Sequence, residues 1–231
     1  TTVGGHLSMP AEVATRFADF PSCAEIQVLA DESACPAGSQ VGSGSATFVG
    51  LNLVEPLALT AFNRPNGTGI VVLVTSTANS PVLIRDLINF TAGNDGRAGF
   101  GRRLDFAVPG TLDSPVLGVL LAWHSFTLSF PAKTTTVDGA AVPYLGTTGC
   151  SQGSWVTEYG ADFSSVLPVD PGVVESSQWV QVSQACVSGP PGGGGTPGGG
   201  GNPGGGGNPG VSGNPGGGSG APSGTGENST G

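Results

Sequence analysis

The stretch SATFVGLNLVEPLALTAFNRPNGTGIVVLV, residues 45–74, decides the fold class. Ser45 to Leu53 alternates apolar with polar, and Leu57 to Phe62 puts Leu57, Leu59 and Ala61 on one side. Ile70 to Val74 is a short continuous apolar run, too brief for a helix of ordinary length. Asn66-Gly67 separates the last two segments, and this dipeptide is the strongest short signal for a tight β-hairpin. Period-two patterning joined by a hairpin turn predicts antiparallel strands.

The same grammar continues downstream. Val82–Phe90 and Phe100–Val108 flank Asn94-Asp95-Gly96, a second hairpin in which Leu104, Phe106 and Val108 alternate inward. Val116–Phe130 is long enough to bend from one sheet to another, with Trp123, Phe126, Leu128 and Phe130 as its large residues. An Asp138-Gly139 turn precedes Ser154–Phe163, where Trp155, Tyr159 and Phe163 share a face, and Gln178–Cys186 closes the series. Short strands bounded by Gly, Pro and Asn turns describe an antiparallel sandwich or barrel, and the expected fold is all-β, an antiparallel β-sandwich of jelly-roll or Ig-like type. One short helix interrupts it. Ser22 and Glu25 form a capping box ahead of CAEIQVLADES, in which Ile26, Leu29 and Ala30 share a face, Asp31 and Glu32 are solvated, and Cys35-Pro36 stops the turn. Pro10–Phe20 reads either as a helical turn or as an extended strand.

Composition divides the chain at residue 188. Residues 189–231 hold 22 of the 42 glycines, 7 of the 19 prolines and one charged side chain, Glu227, in a period-six repeat: TPGGGG at 196, NPGGGG at 202, NPGVSG at 208, NPGGGS at 214. Ordering such a tail costs about 1–2 kcal/mol of backbone entropy per residue with almost no burial in return, so a disordered or extended low-complexity spacer is expected. A sharper alternative packs several tails side by side as polyproline-II-like helices. Residues 1–188 therefore carry the sandwich.

The net charge is −9 and Lys133 is the only lysine. Phosphate backbones and anionic membranes require clustered basic residues, and the nearest cluster, Arg97, Arg102 and Arg103, is diluted by Asp95 and Asp105. Nucleic acid is not an expected partner. Membrane insertion is not expected either, because the longest apolar run, Val116–Trp123, is 8 residues against the roughly 20 of a spanning helix. Thr1 in place of an initiator methionine reads as a mature or trimmed product. Cys23, Cys35, Cys150 and Cys186 form no CxxC pair, and an even count on a lysine-poor chain favours disulfides in an oxidising compartment. Of three connectivities, the sequence-local one, Cys23–Cys35 with Cys150–Cys186, is expected.

Chemistry leaves faint marks. Gly149-Cys150-Ser151-Gln152-Gly153 matches the nucleophile-elbow pattern, but a strand follows it where that elbow needs a helix. His124 could serve Ser125 or Ser151, with Asp105 or Asp162 orienting it, although adjacent strand residues face opposite ways. His6, in a glycine-rich start, is expected to be exposed. Glu158 and Asp162 lie four residues apart on one strand face, too far for a glycosidase pair and more simply solvated. Trp155, Tyr159 and Trp179 are the candidate stacking platforms for a sugar ligand. Asn66, Asn89 and Asn228 begin glycosylation sequons. No cofactor, metal or catalytic residue is assigned.

FPSCAEIQVLADESACPAGSQVGSGSATFVG and the later PYLGTTGCSQGSW add a resemblance. Cys23, Cys35, Pro36, Ser39, Val41, Gly42, Gly44, Ala46, Tyr144, Leu145, Thr147 and Cys150 match a "P-x-C, helix, C-P-x-x-S-x-V-G-x-G-x-A … Y-L-x-T-x-x-C" pattern. In this the chain resembles an uncharacterised family of secreted β-rich proteins of high-GC Gram-positive bacteria. The resemblance implies secretion, a disulfide-clipped β domain and a tail acting as a stalk or linker, and it brings no catalytic residue. The expected function is a non-enzymatic secreted or cell-surface structural or adhesive protein, self-associating or part of a cell envelope. A carbohydrate-binding module and a secreted hydrolase are the alternatives. Deleting residues 189–231 is expected to leave the melting temperature of the remaining domain unchanged, and a fall of more than about 4 °C by calorimetry would show that the tail docks.

Overall fold

A computed structural model describes residues 2–50, 53–77, 80, 82–113, 122–164 and 176–186. The Gly/Pro repeats lie outside the described residues, as does the first part of the long strand expected from Val116. Among the described residues nine strands form one antiparallel sheet: β1 (Thr2–Pro10), β3 (Gln40–Gly50), β4 (Leu53–Asn63), β5 (Gly69–Ser76), β6 (Arg85–Asn94), β7 (Phe100–Ala107), β8 (Ala122–Ser129), β12 (Ser154–Phe163) and β13 (Ser176–Ala185). Their order is β13-β12-β1-β7-β6-β5-β4-β3-β8. Two small pairs complete it: β2 (Val13–Thr15) with β11 (Leu145–Thr147), and β9 (Thr134–Val137) with β10 (Ala140–Pro143). The antiparallel β architecture is thus realised as a single curled sheet whose two ends supply the facing layers. Phe90 on β6 and Phe126 on β8, four places apart in the strand order, bring their rings to 6.5 Å across the hollow.

The expected hairpins form where their turn residues demand. Asn66 and Gly67 both take positive φ, 59° and 66°, between β4 and β5, and Asp138 and Gly139 do so between β9 and β10, at 50° and 81°. These are the conformations of tight hairpin turns that match strand twist. The concave core gathers Leu57, Leu59 and Ala61 of β4 with Phe48, Ile70, Val72, Val74, Ile88 and Leu104. In β5 the intervening Val71 and Leu73 are buried on the other face, beneath Cys23 and Val28. That double burial explains why Ile70–Val74 is apolar without alternation.

The helix, α1 (Glu25–Ala30), lies where expected, but two details are corrected. Ala24 occupies the N-cap position and makes no side-chain cap bond, so Ser22 is not the cap. Val28 is the buried residue, whereas Ile26 is 81% and Leu29 40% exposed. With under two turns, the helix is oriented by the Cys23–Cys35 bridge and not by an amphipathic stripe. Arg85 finishes it, donating from Nε to the Leu29 carbonyl at 2.8 Å and pairing with Glu32, while Asp31 accepts from the Ser33 amide at 3.0 Å. These two acids are therefore engaged. Pro10–Phe20 combines both readings, with β2 followed by a 3-10 turn at Phe17–Asp19.

The first strand, β1, was not legible. It runs between β12 and β7 near the middle of this half of the sheet despite Gly4-Gly5, residues that weaken strands. The glycines serve close approach: a Cβ on Gly5 would strike the Gly160 carbonyl and come within 2.9 Å of the Phe106 ring. Gly42 and Gly44 act similarly under β8, where a Cβ on Gly42 would sit 2.8 Å from the Ser129 carbonyl.

Two disulfides clip the chain, one over the middle of the sheet and one beside β13. Cys23–Cys35 and Cys150–Cys186 both form, as the sequence-local pairing requires, with Cα separations of 5.4 and 6.3 Å. Beside the first sits Asn63 at the end of β4, fully buried. Its amide nitrogen donates to the carbonyls of Phe17, Phe20 and Pro21 at 2.7, 3.1 and 3.2 Å, and its oxygen accepts from the Tyr144 hydroxyl at 3.3 Å. The Tyr144 ring packs at 5.2 and 5.0 Å from those of Phe17 and Phe20, and burial pushes its hydroxyl pKa up. Asn63→Ala strands several buried carbonyls and is expected to cost about 3–5 kcal/mol, against about 1 kcal/mol for Tyr144→Phe. Urea denaturation checks the ranking, and equal losses would dismiss Asn63 as the hub.

Candidate functional site

Pairing of β1 with β12 sorts their side chains by face. Leu7 opposes Tyr159 and Ser8 opposes Glu158, so Leu7 and Tyr159 face the hollow while Ser8 and Glu158 face outward. On the outward side Glu158 is buried, contrary to the solvated position expected for it. Gln181 on β13 donates to its Oε2 at 2.9 Å, Arg97 from the β6–β7 hairpin donates to Oε1 at 2.6 Å, and His6 Nε2 lies 3.1 Å from the same oxygen. Arg97 also donates to Ser8 at 2.9 Å and to the wholly buried carboxylate of Asp95 at 2.6 Å, and stacks 4.7 Å above the Phe100 ring. His6 is only 17% exposed, a further correction, and its ring occupies room left by Gly160, where a Cβ would come within 2.5 Å of Cε1.

This cluster holds its acids ionised. The Gln181 amide first, then Arg97 and His6, bring the Glu158 pKa down from its ordinary 4.5 to about 2. Arg97, foremost, takes Asp95 well below the usual carboxylate range, and Asp95 in turn raises Arg97. A carboxylate fixed in this way accepts hydrogen bonds and does not deliver protons near neutrality. Asp162, four residues on in β12, accepts from the Ser177 hydroxyl at 2.6 Å.

The remaining candidates are placed apart. Ser151 borders a shallow depression of about 400 Å³ with Pro10, Glu12, Phe100 and Val156, and its backbone amide donates to Glu12 Oε1 at 2.6 Å. Hydrogen bonds from the Ser151 side chain and backbone lower the Glu12 pKa. The Gly149–Gly153 segment is thus a turn fastened to Glu12 and, through Cys150, to the end of β13. His124 lies on β8 as the extra residue of a bulge, exposed, and borders the other hollow, about 570 Å³ and lined by Phe90, Phe106, Trp123, Phe126 and Phe163. Ser151 and His124 do not meet. Asp105, its proposed orienter, is paired with Arg103 at 2.6 Å.

Of the three stacking candidates, Tyr159 faces the hollow beside Val180, Trp179 lies beside Gly160 on the outward face, and Trp155 donates its indole N–H to the Gly149 carbonyl at 2.9 Å. They form no common platform. Of the sequons, Asn66 is exposed in its turn, Asn89 donates to Glu25 at 3.1 Å, and Asn228 lies outside the described residues. Among the described residues no group of three or more His, Cys, Asp or Glu converges to hold a metal. Lys133 donates to the Gly38 and Gln40 carbonyls, each at 2.5 Å, and burial lowers its pKa. Sequence reasoning missed the roles of Arg97, Asp95, Ser8, Gln181 and Asn63, because only strand register brings the first four together. Compared with known proteins, the chain matches no family model, no curated sequence and no solved structure.

Because Glu158 is more acidic folded than unfolded, its contribution to stability is complete above about pH 4.5 and disappears as the pH falls through about 2. Asp95 acts in the same direction. Glu158→Gln is expected to lower the melting temperature at neutral pH and to flatten its decline in acid, and parallel profiles for wild type and variant would contradict the assignment.

Proposed function

We propose that this chain is a secreted or cell-surface structural or adhesive domain that works through its surfaces and catalyses no reaction. The observation that carries the proposal is the exposed apolar strip on the hollow-facing side of one sheet edge, where Val180 is 48%, Val182 61% and neighbouring Tyr159 54% exposed. Apolar surface grouped in this way marks an interaction site more often than a bare surface. The two disulfides support an oxidising, extracellular setting, as does the resemblance to secreted β-rich proteins. Among the described residues, no helix is long and apolar enough to cross a membrane. The bonds that engage Glu158, Asp162 and Ser151 support a structural role for these groups, and a low density of basic side chains argues against nucleic acid.

A carbohydrate-binding role is the second reading, favoured by the exposed Trp179 indole, which offers a flat face to a sugar ring. Its check is retention on insoluble polysaccharides that Trp179→Ala abolishes. For the main proposal, the wild type, Ser151→Ala and His124→Ala are expected to show no turnover of ester, peptide or glycoside substrates and no labelling by a fluorophosphonate. Turnover that either substitution removes would overthrow it, since loss of a true nucleophile or base costs orders of magnitude in rate.

A further inference from the structure

Among the described residues β13 and β8 are the two edges of the nine-stranded sheet, and each pairs on one side only. An edge presents a row of backbone donors and acceptors to any extended chain, and proteins blunt it with charge, proline, bulges or cover. β8 carries a bulge at His124 and curls over the hollow. β13 has none of these devices. Its ten residues contain no Asp, Glu, Lys, Arg, Gly or Pro, keep unbroken register with β12 from Ser154↔Ala185 to Phe163↔Ser176, and are all exposed.

Its sequence says what fits there. Gln178-Trp179-Val180-Gln181-Val182-Ser183-Gln184 reads nearly the same in both directions about Gln181. In an antiparallel pair of two such strands, Val180 opposes Val182 twice and Gln178 opposes Gln184 twice on the Tyr159 face. On the other face Gln181 opposes itself and Trp179 opposes the small Ser183. Cross-strand pairs of this kind are the unit of sheet stabilisation, and no like charges meet. A chain of net charge −9 repels its own copies, so an uncharged strip is where two can meet; the nearest acid, Glu158, is on the neighbouring strand and is held by Gln181 and by Arg97, which it shares with Asp95.

We propose that β13 pairs antiparallel with β13 of a second copy of this chain, about a two-fold axis at Gln181, joining the two sheets into one. The inference deepens the structural reading above and rests on it. An isologous seam closes at two copies and consumes the unprotected edge of each. It sets the two Cys186 residues at opposite ends, about 34 Å apart along the strands.

The experiment is sedimentation velocity with light scattering on the full chain across a wide concentration range. A species of twice the 22.6 kDa chain mass is expected. The double variant Val180→Lys/Val182→Lys places lysines opposite one another and is expected to raise the dissociation midpoint at least about tenfold, with far-UV circular dichroism unchanged. Phe126→Lys on β8 is expected to leave the dimer intact. Should the double variant lose its fold, amide exchange of the wild type decides: residues 177–185 must slow as concentration crosses the midpoint. A monomer at every concentration, a dimer indifferent to the β13 lysines, or an open-ended polymer dispersed by Phe126→Lys would each overturn the proposal. These outcomes are independent of the substrate screen, so an enzyme that dimerises and an inert monomer are told apart.

Discussion

A single buried amide ties together the segments that are not held by the main sheet's own ladders. Asn63 ends β4, yet its side chain holds the carbonyls of Phe17, Phe20 and Pro21, and its carbonyl receives the Cys23 amide at 2.9 Å. Its own amide reaches the Ser39 carbonyl at 2.8 Å, and Tyr144 closes the far side. A buried polar group this well satisfied fixes one arrangement, because any displacement would strand several acceptors without water. The segment before α1, the start of β3 and the turn before β11 are therefore located by one residue. Cys23–Cys35 then limits the unfolded chain around that point, and Cys150–Cys186 does the same beside the β13 edge.

Seen from Asn63, the motifs that suggested a family resemblance acquire a physical meaning. Ser39, buried, hydrogen-bonds the Pro36 carbonyl at 2.8 Å, Val41 and Ala46 enter the concave core, and Gly42 and Gly44 make room for β8. Tyr144 is the hub's lid. These residues are spent on folding, which accords with a pattern that brings no catalytic group with it.

The two faces of the β1–β12 pair divide the labour. Outward, Glu158, Asp95, Arg97 and His6 form one hydrogen-bonded cluster that braces the β6–β7 hairpin against the sheet. Inward, aromatic residues line the hollow. At the end of the same layer, β13 itself carries no charged residue and is exposed along its whole length. Gln181 belongs to both, binding Glu158 while standing at the centre of the near-palindrome.

The sequence by itself determined the antiparallel β class, the hairpin turns, the helix position and the disulfide pairing, because each depends on local periodicity, turn conformation or loop length. Leu57, Leu59 and Ala61 announced their common face by spacing alone. It could not place β1, whose glycines are tolerated only because Gly160 and Phe106 press against them. Nor could it show that Val28 and not Ile26 is buried, since the bridge and the neighbouring sheet orient so short a helix. Glu158 read as a solvated acid because burial of a charge is decided by partners, and His6, Arg97 and Gln181 arrive from three different strands or turns. Register, which a sequence fixes only once strands have chosen their neighbours, is what tertiary structure decided.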